Sequence, residues 1–166
     1  MITLKKILVT TDLSNHSCAA FDHAFSLGLI YNAPVYLLYV ANDVPPLAAL
    51  HGMRGDEHLQ REQVESAAMK TLEEFVAKNI GTERRVTPIV RMGDPAREIT
   101  TFAAEQNVDL IVMATHGWTG LKHLVLGSVA EMVVRHSTVP VLTVKPSNTD
   151  EPMLNNADVE SALHLN

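Results

Sequence analysis

Asp109-Leu110-Ile111-Val112-Met113-Ala114 is apolar from its second residue to its last and runs directly into Thr115-His116-Gly117. It reads as a strand. A strand with no polar alternation is buried on both faces, as happens when helices cover both sides of a parallel sheet. Lys6 to Thr10, Pro34 to Val40 and Val139 to Val144 are also rich in β-branched and aliphatic residues, and three of these four runs are apolar almost throughout. A fifth candidate, Arg84 to Arg91, is more polar, as suits a sheet edge.

Helical patterns fill the intervals. Phe21, Ala24, Phe25 and Gly28 mark one stripe, and Val64, Ala68, Leu72, Phe75 and Val76 mark a longer one that Gly81 is placed to stop. Ile99, Phe102 and Ala103 follow Asp94-Pro95, a favourable N-cap and first-turn pair, while Val129, Met132, Val133 and His136 form the last stripe. Strands and helices therefore alternate. Right-handed crossovers turn that alternation into an α/β/α three-layer sandwich on a five-stranded parallel sheet, with 3-2-1-4-5 the order that places helices on both faces. The connections leaving strands 1 and 4 then diverge, and ligands bind in the crevice between those strand ends. Thr10-Thr11-Asp12-Leu13-Ser14 and the stretch from Ala114 onward border it. Residues 42–56 form a long connection near the same end, a candidate lid.

The chain has 166 residues, 46% of them hydrophobic, which suits one substantial core and one domain over residues 1–146. Residues 147–166 are polar and acidic and read as a tail, with a helical pattern over Ala157 to Leu165. A formal charge of -6 argues against nucleic acid and acidic membrane surfaces as partners. The lone Cys18 has no internal partner, no apolar run is long enough to span a bilayer, and the start of the chain does not read as a signal peptide. The cytoplasm is the expected location.

The sharpest chemical feature is Met113-Ala114-Thr115-His116-Gly117-Trp118-Thr119-Gly120, followed after Leu126 by Gly127-Ser128 at the start of a helix. Gly117 and Gly120 let backbone approach a ligand, and helix amides at Gly127 and Ser128 favour an anion. The plain alternative is a capping serine with turn glycines. Asp12, ahead of Ser14 and a helix, reads either as a ligand contact or as a cap. His116 reads as a phosphate donor or a loop-ordering residue, and no base and nucleophile stand at a defined spacing, so no catalytic residue is expected. Lys122 and His123 either screen phosphate or serve solubility, and the placement of Trp118 is open. The histidines lack metal-ligand spacing, so no metal site is expected. Met69, Met92 and Met132 fall at core-like positions. Cys18, in the first turn of the first helix, reads as buried filler more than as an activated thiol.

At the Ala114 to Ser128 segment the chain resembles the universal stress proteins, whose nucleotide motif is a glycine, two residues, a glycine, nine residues, then glycine and serine or threonine. Gly117, the nine residues Trp118 to Leu126, and Gly127-Ser128 match; Ala114 replaces the first glycine. Lys6 to Val9 with Asp12-Leu13-Ser14, the Val90 to Pro95 turn and Val139 to Val144 match as well, so the resemblance covers residues 1 to about 146. It implies a Rossmann-like sheet of the adenine nucleotide α-hydrolase type holding ATP or AMP. Adenine would lie against Thr10, Thr11, Asp12 and Val40, and the ribose and phosphates along Met113, Ala114, His116, Gly117, Gly127, Ser128 and Val129. Mg²⁺ would bridge the phosphates, with little help from protein ligands. The Ala114 methyl bears on affinity, through crowding of the ribose or phosphates, and not on the fold.

These features favour a nucleotide-dependent regulator of the stress response over an enzyme. A Walker-type Gly-Lys-Ser/Thr is absent, which lowers phosphoryl transfer to at most slow ATP hydrolysis. Strand 1 leads into Thr10-Thr11-Asp12 and not into a dinucleotide turn. The third strand ends in Arg91-Met92-Gly93 without the acceptor aspartate of a phospho-receiver domain. A dimeric scaffold that binds no nucleotide remains the alternative, because of Ala114. An apolar strand 5 at the sheet edge predicts a homodimer through Val139 to Val144, as the family resemblance also implies.

Overall fold

A computed structural model describes residues 2–41, 57–81, 84–115 and 127–146. The candidate lid 42–56, His116, Gly117, Trp118, Lys122, His123 and the tail 147–166 lie outside the described residues. In chain order the elements are β1 (Ile7–Thr11), a 3-10 turn (Ser17–Ala20), α1 (Phe21–Tyr31), β2 (Val35–Ala41), α2 (Glu57–Asn79), β3 (Val86–Met92), α3 (Pro95–Glu105), β4 (Leu110–Ala114), α4 (Ser128–His136) and β5 (Val141–Val144). Every strand pairing is parallel, and the order is β3-β2-β1-β4-β5, the arrangement expected from the sequence.

Strand alternation divides the core into two layers. Ile7, Val9, Val35, Leu37 and Val112 pack with Phe21 and Ala24 of α1 and Leu72 of α2. On the other face Leu8, Leu38, Ile111 and Met113 pack with Ile99, Phe102 and Ala103 of α3 and Ala130 and Val133 of α4. The helices change sides because the chain reverses its direction across the sheet after β3, and each crossover keeps its right hand. Of the two edge strands, β3 has an identifiable reason to tolerate its position. β3 carries Pro88, whose missing N–H is acceptable on an edge, and β5 is half-buried along its length.

Element ends follow local chemistry. Asp94 caps α3 by accepting the Arg97 amide at 2.9 Å, with Pro95 in the first turn, as expected. Gly81, at φ +78°, stops α2 with its amide on the Val76 carbonyl. β5 starts later than the apolar run, because the Ser137 hydroxyl bonds both the carbonyl and the amide of Val139 and turns the chain before Pro140. At Gly28, a Cβ would lie 2.7 Å from Val35 Cγ2, so α1 approaches β2 closely only because no side chain intervenes.

Two stripe assignments are corrected. Val64 is 46% exposed, whereas Ala68, Phe75 and Val76 pack around a buried Leu72. α2 has 23 residues and so extends about 34 Å at 1.5 Å per residue. The seven-residue strands it covers reach only about 23 Å, so the stripe begins before there is sheet to meet. In α4 the buried residues are Ala130 and Val133, while Met132 is 46% exposed and His136 lies on the surface. The small Ala130 lets α4 settle onto the sheet, and the larger Met132 is turned outward.

Candidate functional site

β1 leads to α1 on one face of the sheet and β4 to α4 on the other, and the two strands are direct neighbours, with Val9 opposite Val112. Their carboxyl ends therefore border the divergent crevice that this sheet order creates. The residues expected to bind ligand divide according to which way their side chains leave the sheet.

Thr10 pairs with Leu38 and shares the α4 side with Val40, Met113 and Val129. It is only 7% exposed, and its hydroxyl makes no hydrogen bond among the described residues. No fully buried side-chain polar atom among those residues lacks a partner, so the Thr10 hydroxyl opens outward at the strand end. An apolar wall with one unengaged hydroxyl is a receptive surface for a ring that carries polar edges.

Thr11 leaves the opposite side and is engaged in the protein itself. The Ser17 hydroxyl donates its single proton to the Ser14 carbonyl at 2.7 Å, so in the 2.7 Å Thr11–Ser17 contact Thr11 is the donor. Thr11 Oγ1 accepts the Leu13 amide at 2.9 Å. Asp12 Oδ1 accepts both the amide and the hydroxyl of Ser14, at 3.1 and 2.6 Å, and Ser14 Oγ receives the Ser17 amide at 3.3 Å. These six bonds enclose Leu13, whose φ of +65° is left-handed. That conformation costs a leucine about 1–2 kcal/mol, less than several bonds worth roughly 1 kcal/mol each return. Asp12 is thus not a helix cap: it closes a local turn, and the cap position of the 3-10 turn is His16. Ser14 stands in the loop expected to border the crevice but with no role of its own, and Ser17 was not expected to take part, although their hydroxyls hold this loop.

On the β4 side the organisation is backbone. Thr115 donates its amide to the Val144 carbonyl at 2.8 Å and accepts the Gly127 amide at 2.6 Å, so the chain returns at Gly127 to the strand end it left at Thr115. Thr115, within the glycine-bearing stretch but not among the expected ligand contacts, is buried. Gly127 occupies the N-cap position of α4, with Ser128 exposed in the first turn, so Ser128 is not the capping residue of the plain alternative. At φ -66° and ψ 153° the backbone at Gly127 suits any residue, hence conformation alone does not demand glycine there. The Gly127 amide, expected to favour an anion, is taken instead by the Thr115 carbonyl; the first amides of α4 beyond it have no carbonyl within the helix and, with its dipole, favour an anion. Ala114 is the last residue of β4 and pairs with Val144, on the Val112 side of the sheet.

Cys18 lies in the 3-10 turn and not in α1, its sulfur 3.8 Å from the Ser14 carbonyl. Burial, reinforced by Asp12 and Asp22, pushes its thiol up to about 11 from an ordinary 9.0, the direction opposite to activation. Among the described residues no three His, Cys, Asp or Glu side chains converge as metal ligands, and no helix is long and apolar enough to cross a membrane.

The sequence profile of the Universal stress protein family matches residues 3–145. Universal stress protein MJ0531 of Methanocaldococcus jannaschii is 39% identical over 143 residues, covering 85% of this chain and 82% of its own. The solved structure of MJ0577, from the same organism, superposes with a TM-score of 0.70 at 32% identity, over 89% of this chain and all of that one. A universal stress protein solved in complex with cAMP shares the fold at TM-score 0.61 and 22% identity, covering 88% of this chain and all of its own. With this sheet order, the divergent crevice and a profile match across nearly all the described residues, the chain belongs to the universal stress protein family.

Proposed function

We propose that this protein binds an adenine nucleotide, ATP or AMP, between the carboxyl ends of β1 and β4 and acts as a stress-response regulator in the cytoplasm, not as a catalyst. The observation that carries the proposal is Thr10, a residue only 7% exposed whose hydroxyl opens at the strand end with no bond among the described residues, on the side of the sheet where α4 begins. A hydroxyl in that position is open to a ligand as both donor and acceptor. The base meets Thr10, Asp12 and the apolar Val40; the ribose and phosphates follow Met113, Ala114, His116, Gly117, Gly127, Ser128 and Val129 toward the α4 amides. Mg²⁺ bridges the phosphates and keeps most of its water. The cAMP complex of a protein with this fold supports a nucleotide of this class.

Binding to the folded form alone adds stability as ligand rises, about 2.7 kcal/mol at a hundred times Kd. In a domain of this size that is roughly 5–10 °C in melting temperature. Titration calorimetry with ATP, ADP and AMP, alongside melting curves, tests the proposal; no heat and no shift at millimolar nucleotide would overturn it. The protein further pairs with a second copy through β5, whose half-buried edge adjoins α4 with Met132 and Val134 exposed. Light scattering after size exclusion should give twice the chain mass, and a monomer at micromolar concentration would remove the dimer.

A further inference from the structure

We propose that Thr11 and Ser17 are positioning residues for base recognition: their hydroxyl relay holds Asp12 and the left-handed Leu13 in the conformation a purine meets. The inference rests on the nucleotide site proposed above and concerns residues that do not themselves face the ligand. Thr11, Ser14 and Ser17 are all buried, on or beside the α1 side of β1, whereas Thr10, Val40 and Met113 lie on the α4 side. The relay runs in one direction. Thr11 donates to Ser17, Ser17 donates to the Ser14 carbonyl, and Ser14 donates to Asp12 Oδ1, while the amides of Leu13 and Ser17 return to Thr11 and Ser14.

Each hydroxyl proton in the relay has one acceptor, so removing one hydroxyl unpairs groups on both sides of it. Loss of the Thr11 hydroxyl strips the Leu13 amide of its acceptor and Ser17 Oγ of its donor, and it leaves the left-handed Leu13 with less to hold it. The loop then populates other conformations, and apparent affinity falls by the fraction that remains competent. The relay lies wholly within residues 11–17, apart from the α4 amides, so the loss falls on the base and not on the phosphates. A fixed edge of this kind is what separates a specific base contact from an incidental one.

The test compares wild type with Thr11→Val, which removes the hydroxyl at nearly constant shape, and Thr11→Ser, which restores it. For Thr11→Val the Kd for ATP should rise about tenfold, while the affinity for inorganic tripolyphosphate, which has no base, stays within about twofold. Thr11→Ser should return ATP binding to within about threefold of wild type. In the nucleotide-free protein, the Leu13 amide should exchange with deuterium faster in Thr11→Val than in wild type. Equal losses for ATP and tripolyphosphate would reduce Thr11 to a stability residue and overturn the proposal, as would unchanged ATP binding in Thr11→Val. If Thr11→Val does not fold, Ser17→Ala takes its place and is titrated with the same two ligands: a loss confined to ATP supports the relay, and an equal loss for both, or none, overturns it. Wild-type protein that ignores ATP would instead remove the nucleotide site, a failure visible before any variant is made.

Discussion

The two walls of the crevice are built by different means. The β1 wall is held by side chains: three hydroxyls and a carboxylate bond one another around a left-handed leucine. The β4 wall is held by backbone: the Gly127 amide meets the Thr115 carbonyl, Thr115 is tied to Val144, and α4 starts at once. A side-chain wall fixes donors and acceptors of definite shape, as a base requires. A backbone wall offers amides in a row, which suit the diffuse charge of phosphates. The contrast explains why one residue type cannot serve both walls, and it predicts that substitutions in each will fail in different ways.

The largest effect is expected where a side chain enters the backbone wall. Gly127→Val sets two methyl groups at the N-cap of α4, where φ and ψ already suit any residue. Affinity for ATP should fall about a thousandfold in calorimetry. The melting temperature should fall by only about 2–4 °C, since valine at an N-cap costs about 1 kcal/mol relative to glycine. Unchanged affinity would mean that the phosphates do not lie at α4, and the division of labour between the walls would disappear.

Cys18 reports whether the β1 wall is closed. It sits against the Ser14 carbonyl within that wall, with its thiol raised to about 11 from 9.0. Two pKa units leave about a hundredfold less thiolate at pH 8, so labelling by a thiol reagent should be about that much slower than in the unfolded chain. The same shift sets the sign of a pH effect. The unfolded thiol ionises first, so the stability tied to neutral Cys18 is complete below about pH 9 and is lost as pH rises toward 11. Labelling at the unfolded rate at pH 8 would show a wall that opens freely, contrary to its six bonds.

Most of the fold was legible in the sequence, and the reasons are specific. Strands with apolar residues on both faces left little choice but a parallel sheet under two helical layers, and Asp94-Pro95 and Gly81 marked real helix ends. The failures came where periodicity says nothing about partners. Val64 belongs to the α2 stripe but lies beyond the reach of the sheet, and Met132 has the hydrophobicity of a core residue without the small size that Ala130 brings to the contact. At the site, glycines announced the backbone wall. The side-chain wall was half hidden: Asp12 stood out by its charge, but Ser14 and Ser17 are ordinary residues until Leu13 turns left-handed and brings their hydroxyls together. The ion pair of Arg84 with Asp22 at 2.8 Å was beyond sequence reach for a simpler reason, since 62 positions separate the two residues.

A smaller but more discriminating effect separates two neighbouring threonines. Thr10→Val replaces a hydroxyl that bonds nothing among the described residues, so the nucleotide-free protein should be as stable as wild type or gain up to about 1 kcal/mol. ATP affinity should nevertheless fall about fivefold to tenfold, the worth of one hydrogen bond to the base. Thr11→Val, one residue along, should cost the free protein about 2 kcal/mol, because it leaves the Leu13 amide short of its acceptor. Denaturant melts of the two variants should therefore move in opposite directions or, at the least, differ by more than about 1 kcal/mol. Equal losses would mean that Thr10 already has a partner, and the observation behind the nucleotide proposal would fall.

The smallest expected effect concerns Ala114, where the family motif has glycine. Crowding of the ligand by its methyl requires that the methyl face the ligand. Ala114 ends β4 in strand conformation, paired with Val144, and alternation places it with Val112 on the α1 side. Thr10, Val40, Met113 and Val129 occupy the other side. Glycine is not needed for the backbone either, as Ala114 has no positive φ. Ala114→Gly should then change the Kd for ATP by less than about twofold. It should cost roughly 0.5–1 kcal/mol in stability through the added freedom of the unfolded chain. A clear gain in affinity would put the ribose on the α1 side of β4, within reach of the very hydroxyls assigned to positioning, and the two walls would have to be redrawn as one.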